Sequence, residues 1–297
     1  MTTTKHTLSG RIGIGERIAK FLVLGVACAV VIVPFIGIVS TSLASQEEIN
    51  AAGGFVFLPH SIDWTAYRSI LTGGVVARSL VVSIGVTAVG TVLSLGVTAM
   101  LAWALSRRGT VGNKPMLLLL LISMLFTPGI IPTYLAVHQF GLLNSLAALI
   151  VPTMVSAFNV VVVRSFFVAL PAEIIESARL DGASEWQLFR SIALPLSRSV
   201  LAVIGLFYAV NYWNAFFNAL LYLNDTAKWP LQLVLRTYVI NGGQLSSTDL
   251  GAGAEALPAQ VSIQMAILVI SIIPILLVYP FVQRHFTKGV LTGAVKG

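Results

Sequence analysis

Apolar positions along this chain are gathered into long runs, and charged positions fall almost entirely between the runs. Six stretches contain no Asp, Glu, Lys or Arg and approach the roughly 20 residues that a helix needs to cross a bilayer. Because the backbone polar groups of a segment in lipid must be paired within it, each stretch is predicted to be a helix. The predicted spans are Phe21–Ser42, Ser79–Leu105, Pro115–Ala136, Leu146–Val163, Ser199–Leu221 and Val261–Val282.

The positively charged residues indicate how these spans are oriented. If the N-terminus is cytoplasmic, only Arg68, Arg78, Lys228 and Arg236 of the 18 Lys and Arg residues lie in outer segments. Membrane proteins keep most of their Lys and Arg on the cytoplasmic side. We therefore expect a multi-pass membrane protein with both termini in the cytoplasm.

Composition supports the same class of protein. The chain of 297 residues is 57% hydrophobic and 10% charged, with a mean hydropathy of +0.91, whereas a soluble domain is about 25% charged. Its net charge of +7 is spread between apolar runs, with no basic patch that would predict nucleic-acid binding. The single cysteine, Cys28, lies inside the first run and is interpreted as a small residue of an uncleaved anchor. The four histidines are scattered singly, so we predict no metal site.

Proline and glycine interrupt some of the spans. The third contains Pro128, Gly129 and Pro132, and the sixth contains Pro274. Proline removes a backbone donor and kinks or breaks a helix. Broken helices at membrane depth are tolerated where protein or a water-filled path surrounds them, which favours a transport pathway. The alternative is that proline is simply commoner in membrane helices than in soluble ones.

The most informative segment lies on the cytoplasmic side between the fourth and fifth spans, from Leu170 to Pro195. Asp181-Gly182 predicts the end of one short helix, and Ser184 followed by Gln187 is a capping-box pattern that begins another. On the second helix, an apolar stripe is predicted from the helical spacing of Trp186, Phe189, Ile192 and Ala193. An apolar stripe on a helix that faces water is expected to be buried against another surface. It could fold onto the protein's own helix ends, lie on the lipid surface or dock into a groove of another protein.

This segment resembles the cytoplasmic EAA loop of binding-protein-dependent ABC importer permeases. The pattern begins at Glu176 as ESARLDGAS and continues to Leu194-Pro195, and it departs from the family only at Ser177, where Ala is usual. The resemblance implies an all-α integral membrane protein with six transmembrane helices and a cytoplasmic coupling helix between helices 4 and 5. It also implies that this loop contacts a separate ATPase subunit, with Gly182 as the bend and Phe189 with Ile192 as the apolar anchor. The implied ATPase-coupling residues are Glu176, Ala178, Asp181, Gly182, Ala183, Phe189, Ile192, Leu194 and Pro195.

Further motifs are similar to the carbohydrate branch of these permeases, which includes the maltose permease subunits. They are Gly141–Asn144, Asn159-Val160 with Arg164–Phe167, Tyr212–Asn214, Trp229–Leu233 and the tail Tyr279–Gly289. The implied partners are ATP-binding cassette subunits, a second permease expected to be a different chain, and an extracytoplasmic solute-binding protein. The expected divisions are 1–74 for the N-terminus, first helix and outer loop, 75–282 for the core transmembrane domain, and 283–297 for the cytoplasmic tail.

The fifth span carries candidate residues for the solute pathway. Asn211, Asn214 and Asn218 recur at spacings of three and four and therefore share one helix face, and Tyr212 is adjacent. Polar residues inside a membrane usually face a bundle interior or a cavity, where amides and aromatic rings would bind a neutral sugar. The alternative is that these residues bond between helices or mark the membrane interface. The Gly-rich outer loop Tyr222–Gln260 either reaches towards the binding protein or is a passive surface loop.

No motif in the chain predicts catalysis or a cofactor. The phosphate-binding pattern GxxxxGK[ST] is absent, and so is any nucleophile or metal signature. We therefore expect a permease that is not an enzyme and that draws energy from a partner ATPase to import a carbohydrate, expected to be an oligosaccharide. One alternative keeps this architecture and imports amino acids, peptides or ions. Another is a stand-alone secondary transporter or channel, which the absence of Asp and Glu in the spans disfavours.

Overall fold

The computed structural model describes residues 14–107, 109, 111–126, 128–243, 249 and 259–294, and side chains up to Pro280. All regular elements within these residues are helical. The α-helices are α1 (Ile14–Ser42), α2 (Gln46–Ala51), α3 (Thr65–Leu71), α4 (Gly74–Ser106), α5 (Asn113–Leu125), α6 (Ile130–Gln139), α7 (Ala147–Ile150), α8 (Ala157–Val168), α9 (Ala172–Leu180), α10 (Glu185–Gln187), α11 (Leu194–Leu196), α12 (Arg198–Trp213), α13 (Phe216–Tyr222), α14 (Leu231–Leu235) and α15 (Gln260–Ala294). Short 3-10 helices cover Val151–Thr153 and Thr226–Lys228, and π-helical turns cover Leu188–Ala193 and Arg236–Ile240.

Three of these helices are individually long and apolar enough to cross a bilayer. They are α1 with 29 residues, α4 with 33, and the part of α15 from Gln260 to Pro280 with 21. The number among the described residues rises to five if each of two bent helix pairs is counted as one span. One pair joins Ala147–Thr153 to Ala157–Val168 at 54°, and the other joins Glu185–Leu196 to Arg198–Trp213 at 83°. The prediction of an all-helical membrane protein is confirmed in this coarser form.

The third predicted span is divided into two helices. α5 has 13 residues and α6 has 10, and Pro128 and Gly129 lie between them. Gly129 takes a φ of +68°, which only glycine adopts readily. The interruption that these two residues predict is therefore present, and one continuous helix over this stretch is wrong.

The fifth predicted span is also divided, at a place that has no proline or glycine. α12 ends at Trp213, and α13 begins at Phe216. The side-chain amide of Asn214 donates to the carbonyl of Val210 at 2.9 Å, and the Phe216 amide donates to the Asn214 carbonyl at 2.8 Å. Asn214 thus offers the backbone local partners in place of the helix, as asparagine commonly does.

The larger of two compact units contains most of the described residues from Tyr67 onwards, apart from the start of α15. Its core forms where α4 packs against α8 and α12, around fully buried side chains such as Val160, Val163 and Ile204. Two buried hydroxyl pairs join α4 to α12: Ser94 with Tyr212 at 2.6 Å and Thr98 with Tyr208 at 2.7 Å. Buried hydroxyls must be paired, so these bonds fix how α12 lies along α4.

The smaller unit combines the described residues up to Ala66 with those from Ala259 to Val269. The Thr41 hydroxyl donates to the Val56 carbonyl at 3.1 Å and accepts from the Val56 amide at 2.9 Å. Gly37 lets the ring of Phe55 approach, since a Cβ there would lie 2.1 Å from that ring. The segment after α1 is therefore a folded structure held against the end of its own helix.

Candidate functional site

The segment between the fourth and fifth predicted spans forms a helical hairpin, here called the docking hairpin, made of α9, the bend Asp181–Ala183 and the helical run Glu185–Leu196. Gly182 ends α9 with a φ of +85°. The Ala183 amide donates to the Ala178 carbonyl at 2.9 Å, and the Gly182 amide donates to the Arg179 carbonyl at 3.0 Å. These bonds pair the last carbonyls of α9, as expected of a glycine-terminated helix. The predicted helix, break and helix are confirmed.

The return limb of the hairpin begins with the capping box that the sequence predicts. The Ser184 hydroxyl accepts from the Gln187 amide at 3.3 Å, and the Gln187 side chain accepts from the Ser184 amide at 2.7 Å. An ion pair between Arg179 and Glu185 bridges the two limbs. Both of its side chains are about half exposed, so the pair orients the limbs more than it stabilises them.

The apolar stripe of the return limb folds onto the protein's own helices. Phe189 is 5% exposed, and its ring centroid lies 5.9 Å from that of Trp103 and 6.4 Å from that of Phe167. Ala193 is fully buried, and Ile192 packs partly buried against the same core. Of the three possible covers, the structure therefore shows the first. Phe189 is thus largely covered within its own chain, and its role as an apolar anchor for another subunit stays a prediction.

The remaining implied coupling residues lie at or near the surface. Glu176, Asp181 and Gly182 are exposed, while Ala178, Ala183, Leu194 and Pro195 are half-buried. The most exposed apolar side chain of the hairpin is Leu180, at 90% exposure, which is not among the residues predicted from the sequence. Its place just before Asp181-Gly182, outside the apolar periodicity of α9, is the signal that could have identified it.

The C-terminal end of α4 packs against the docking hairpin. The guanidinium carbon of Arg107 lies 3.6 Å from the centre of the Trp103 ring, and the Arg164 side chain donates to the Leu105 carbonyl at 2.9 Å. The pKa of the Arg107 guanidinium is lowered, mainly by burial. Glu185 opposes this shift in the pKa, and Arg179 adds to it, each by less than burial does. A guanidinium stays protonated near neutral pH, so Arg107 is a cation held on the aromatic face.

The candidate pathway residues of the fifth span do not all share one surface. Asn211, Asn214 and Asn218 line an open groove of about 690 Å³, together with the rings of Phe207 and Phe217. No charged side chain lines this groove among the described residues. Three amides and two aromatic rings offer hydrogen bonds and apolar contact without a net charge.

Tyr212 lies elsewhere. It is 2% exposed, its hydroxyl is bonded to Ser94, and its ring covers Gly90, where a Cβ would lie 2.8 Å away. Tyr212 therefore bonds between helices in this structure, as in the alternative interpretation, and its place in the solute pathway stays a prediction. Adjacent helix positions point about 100° apart, so Asn211 and Tyr212 face different surroundings.

The fold, the hairpin and the groove together describe a membrane permease, and the comparisons give its family. Residues 94–292 match the family described as "Binding-protein-dependent transport system inner membrane component", and the chain belongs to this family. The prediction of an ABC importer permease is confirmed.

Individual relatives match over nearly the whole chain. The polygalacturonan/rhamnogalacturonan transport system permease protein YtcP of Bacillus subtilis is 43% identical over 268 residues, which are 90% of this chain and 93% of that protein. The diacetylchitobiose uptake system permease protein NgcG of Streptomyces coelicolor is 27% identical over 90% of this chain and 85% of its own length. A chain in the crystal structure of a bacterial ABC transporter involved in the import of the acidic polysaccharide alginate is similar with a TM-score of 0.85 and 30% identity. That likeness covers 94% of this chain and all of the other.

Proposed function

We propose that this chain is the permease subunit of an ATP-driven importer and that its solute is an oligosaccharide. The observation that carries the solute class is the groove formed by Asn211, Asn214 and Asn218 with two phenylalanine rings. Sugar hydroxyls are bound by amides, and the apolar faces of sugar rings pack on aromatic side chains. The relatives YtcP and NgcG are both carbohydrate transport permeases, which supports this class.

Six transmembrane spans remain our proposal for the topology. α1, α4 and α15 each form one span, while the pairs α5 with α6, the segment Ala147–Thr153 with α8, and α12 with α13 form the other three. Pairs of short helices can together cross the bilayer where neighbouring protein covers their breaks. Both termini are then cytoplasmic, and the docking hairpin lies on the cytoplasmic side.

The docking hairpin is the proposed contact with the ATPase subunit. Its bend presents Leu180, Asp181 and Gly182, and Glu176 lies one helical turn before Leu180. An exposed leucine beside a charged rim is the arrangement of a small docking site. Phe189 and Ile192 support this surface from inside by fixing the return limb to α4 and α8.

The remaining proposed partners are a second permease, expected to be a different chain, and an extracytoplasmic binding protein. A similar chain of 13% identity, which shows the fold alone, comes from an alginate transporter in complex with an alginate-bound periplasmic protein. The outer segment after Tyr222 is the proposed approach surface for such a protein. Its Gly-rich portion from residue 250 to 258 lies outside the described residues.

The ATPase contact is tested by copurification from the native host. Leu180→Asp should abolish recovery of an ATPase with the tagged chain and leave the amount of chain in the membrane unchanged. Leu58→Asp is the matched control, because Leu58 is 83% exposed in the segment predicted to face outside. Recovery of the ATPase with both variants would overturn the proposed docking surface.

The solute class is tested by uptake into liposomes that hold the assembled transporter. ATP-dependent uptake of an oligosaccharide, weakened by Asn211→Ala, is the expected result. Solute movement without ATP by the chain alone would replace the proposal with a stand-alone transporter. ATP-dependent uptake of amino acids or peptides, with none of oligosaccharides, would keep the architecture and overturn the solute.

A further inference from the structure

Asn144 occupies an unusual backbone conformation at the turn between α6 and α7. Its φ is +56°, the only positive φ of a non-glycine residue among those described. Asparagine tolerates this region better than most residues, but the conformation still carries a cost. A strained backbone conformation of this kind persists only where contacts with the surrounding residues hold it in place.

The surroundings are three hydrogen bonds to one segment far along the chain. The Asn144 amide donates to the Tyr222 carbonyl at 2.7 Å, and the Asn144 side-chain oxygen accepts from the Asp225 amide at 3.1 Å. The Asn144 carbonyl accepts from the Lys228 ammonium at 2.8 Å. We call these four residues the outer clamp. Asn144 uses three groups in these bonds: its backbone amide, its carbonyl and its side-chain oxygen.

The segment that the clamp holds is the outer end of α13. This helix has seven residues and begins after the non-helical link Asn214–Ala215, so neither of its ends continues into a longer helix. The ring of Tyr222 stacks on Tyr134 with centroids 6.2 Å apart, which fixes the same end from a second side. The position of α13 therefore depends on contacts at its outer end.

α13 also carries Asn218, while Asn211 lies on α12 and Asn214 on the link between the two helices. A shift of the short helix changes the spacing of the groove amides without any change in their identity. We infer that Asn144 is a positioning residue for the solute groove: it sets the place of Asn218 relative to Asn211 by clamping the end of α13. This inference rests on the proposed function of the groove.

Three substitutions separate the contributions of Asn144. Asn144→Asp keeps the side-chain acceptor and the tolerance of a positive φ. Asn144→Gly keeps the backbone bonds and removes only the side-chain acceptor. Asn144→Ala removes the acceptor and also resists the positive φ. Asn224→Gly is the control, because Asn224 is exposed in the same outer segment and its side chain makes no hydrogen bond to the described residues.

The first measurement is of uptake kinetics in the assembled transporter. The KM for oligosaccharide uptake should rise about three- to tenfold in Asn144→Gly, the range expected for one lost hydrogen bond, and further in Asn144→Ala. The ATP hydrolysis rate without binding protein should stay unchanged. Asn144→Asp should restore the wild-type KM, which a general loss of stability would not allow. An unchanged KM in Asn144→Ala overturns the inference.

The second measurement reports geometry without any solute. Spin labels at Phe207→Cys on α12 and Leu220→Cys on α13, in a chain with Cys28→Ser, give the distance between the two helices. Asn144→Ala should shift or broaden this distance, and Asn224→Gly should leave it unchanged. An unshifted distance overturns the inference whatever the uptake shows. A wild-type transporter that moves no oligosaccharide, with the label shift still present, overturns the proposed solute and leaves the clamp's hold on α13 supported.

Discussion

The bend of the docking hairpin offers the sharpest test of how the proposed coupling works. Gly182 has a φ of +85°, and a Cβ added there would meet no atom within 4 Å. Gly182→Ala therefore introduces backbone strain and no clash. An L-residue in this conformation costs roughly 1–2 kcal/mol, and one or two kcal/mol changes an equilibrium by a factor of about 5 to 30.

That strain is relieved if the bend opens, which moves Leu180 and Asp181 away from their positions in the hairpin. We expect Gly182→Ala to lower the affinity for the ATPase subunit about five- to thirtyfold, measured by titration of the purified subunits in nanodiscs. Gly182→Asn should lie between alanine and glycine, since asparagine tolerates a positive φ. Gly182→Pro should be the most severe, because proline fixes φ near −65°.

A matched control exists at a glycine outside the docking hairpin. Gly112 has a φ of +81°, and a Cβ there also meets no atom within 4 Å. Gly112→Ala imposes similar strain outside the docking hairpin, so it should lower thermal stability and leave ATPase affinity unchanged. If Gly182→Ala and Gly112→Ala lower stability equally and neither weakens ATPase binding, the bend is not part of the docking surface.

Three further results are expected. Tyr212→Phe removes the partner of the buried Ser94 hydroxyl, so the free energy of unfolding should fall by about 1–3 kcal/mol in denaturant titration. The KM for solute should stay constant. A changed KM at constant stability would instead show that Tyr212 contributes to the solute pathway. Gly90→Val should lower the melting temperature strongly, because its Cβ would lie 2.8 Å from the Tyr212 ring. Gly85→Val is the control and should have little effect, because a Cβ there meets nothing within 4 Å. Equal melting temperatures of the two variants would refute this packing. Phe189→Ala should destabilise the isolated chain by about 3–5 kcal/mol in the absence of any ATPase, and full stability with lost ATPase binding would contradict its burial.

Features that depend on neighbouring residues were predictable from the sequence. The capping box needs only Ser184 and Gln187 three residues apart, and the end of α9 needs only Asp181-Gly182. Long apolar runs predicted α1 and α4 for the same reason, because a helix in a bilayer pairs its backbone polar groups within its own segment. The resemblance that identified the family also rests on one contiguous segment.

Features that depend on distant helices were not predictable. The stripe through Phe189 was recognised, but its cover is Trp103 on α4 and Phe167 on α8, which no local pattern reveals. The π-helical turns at Leu188–Ala193 also alter the periodicity, so that Leu188, Phe189 and Ala193 are buried while Trp186 remains 59% exposed. Helical spacing alone assigned Trp186 to the stripe.

The same limit applies to the fifth span. The spacing of three asparagines predicted a shared face, and they do share the groove. Tyr212 was grouped with them because it is adjacent, although Ser94 and Gly90 on α4 hold it on another side. The outer clamp was beyond prediction, since Asn144 and Asp225 meet only after α13 has been placed.

The docking hairpin carries two sets of side chains with different evolutionary constraints. Phe189 can change only together with the residues of α4 and α8 that surround it, so it should covary with positions in its own chain. Leu180 is 90% exposed, and under the proposed docking it should covary with positions in the partner ATPase. The proposed docking surface therefore predicts that a few substitutions at the bend can change the partner ATPase while the transmembrane packing stays the same.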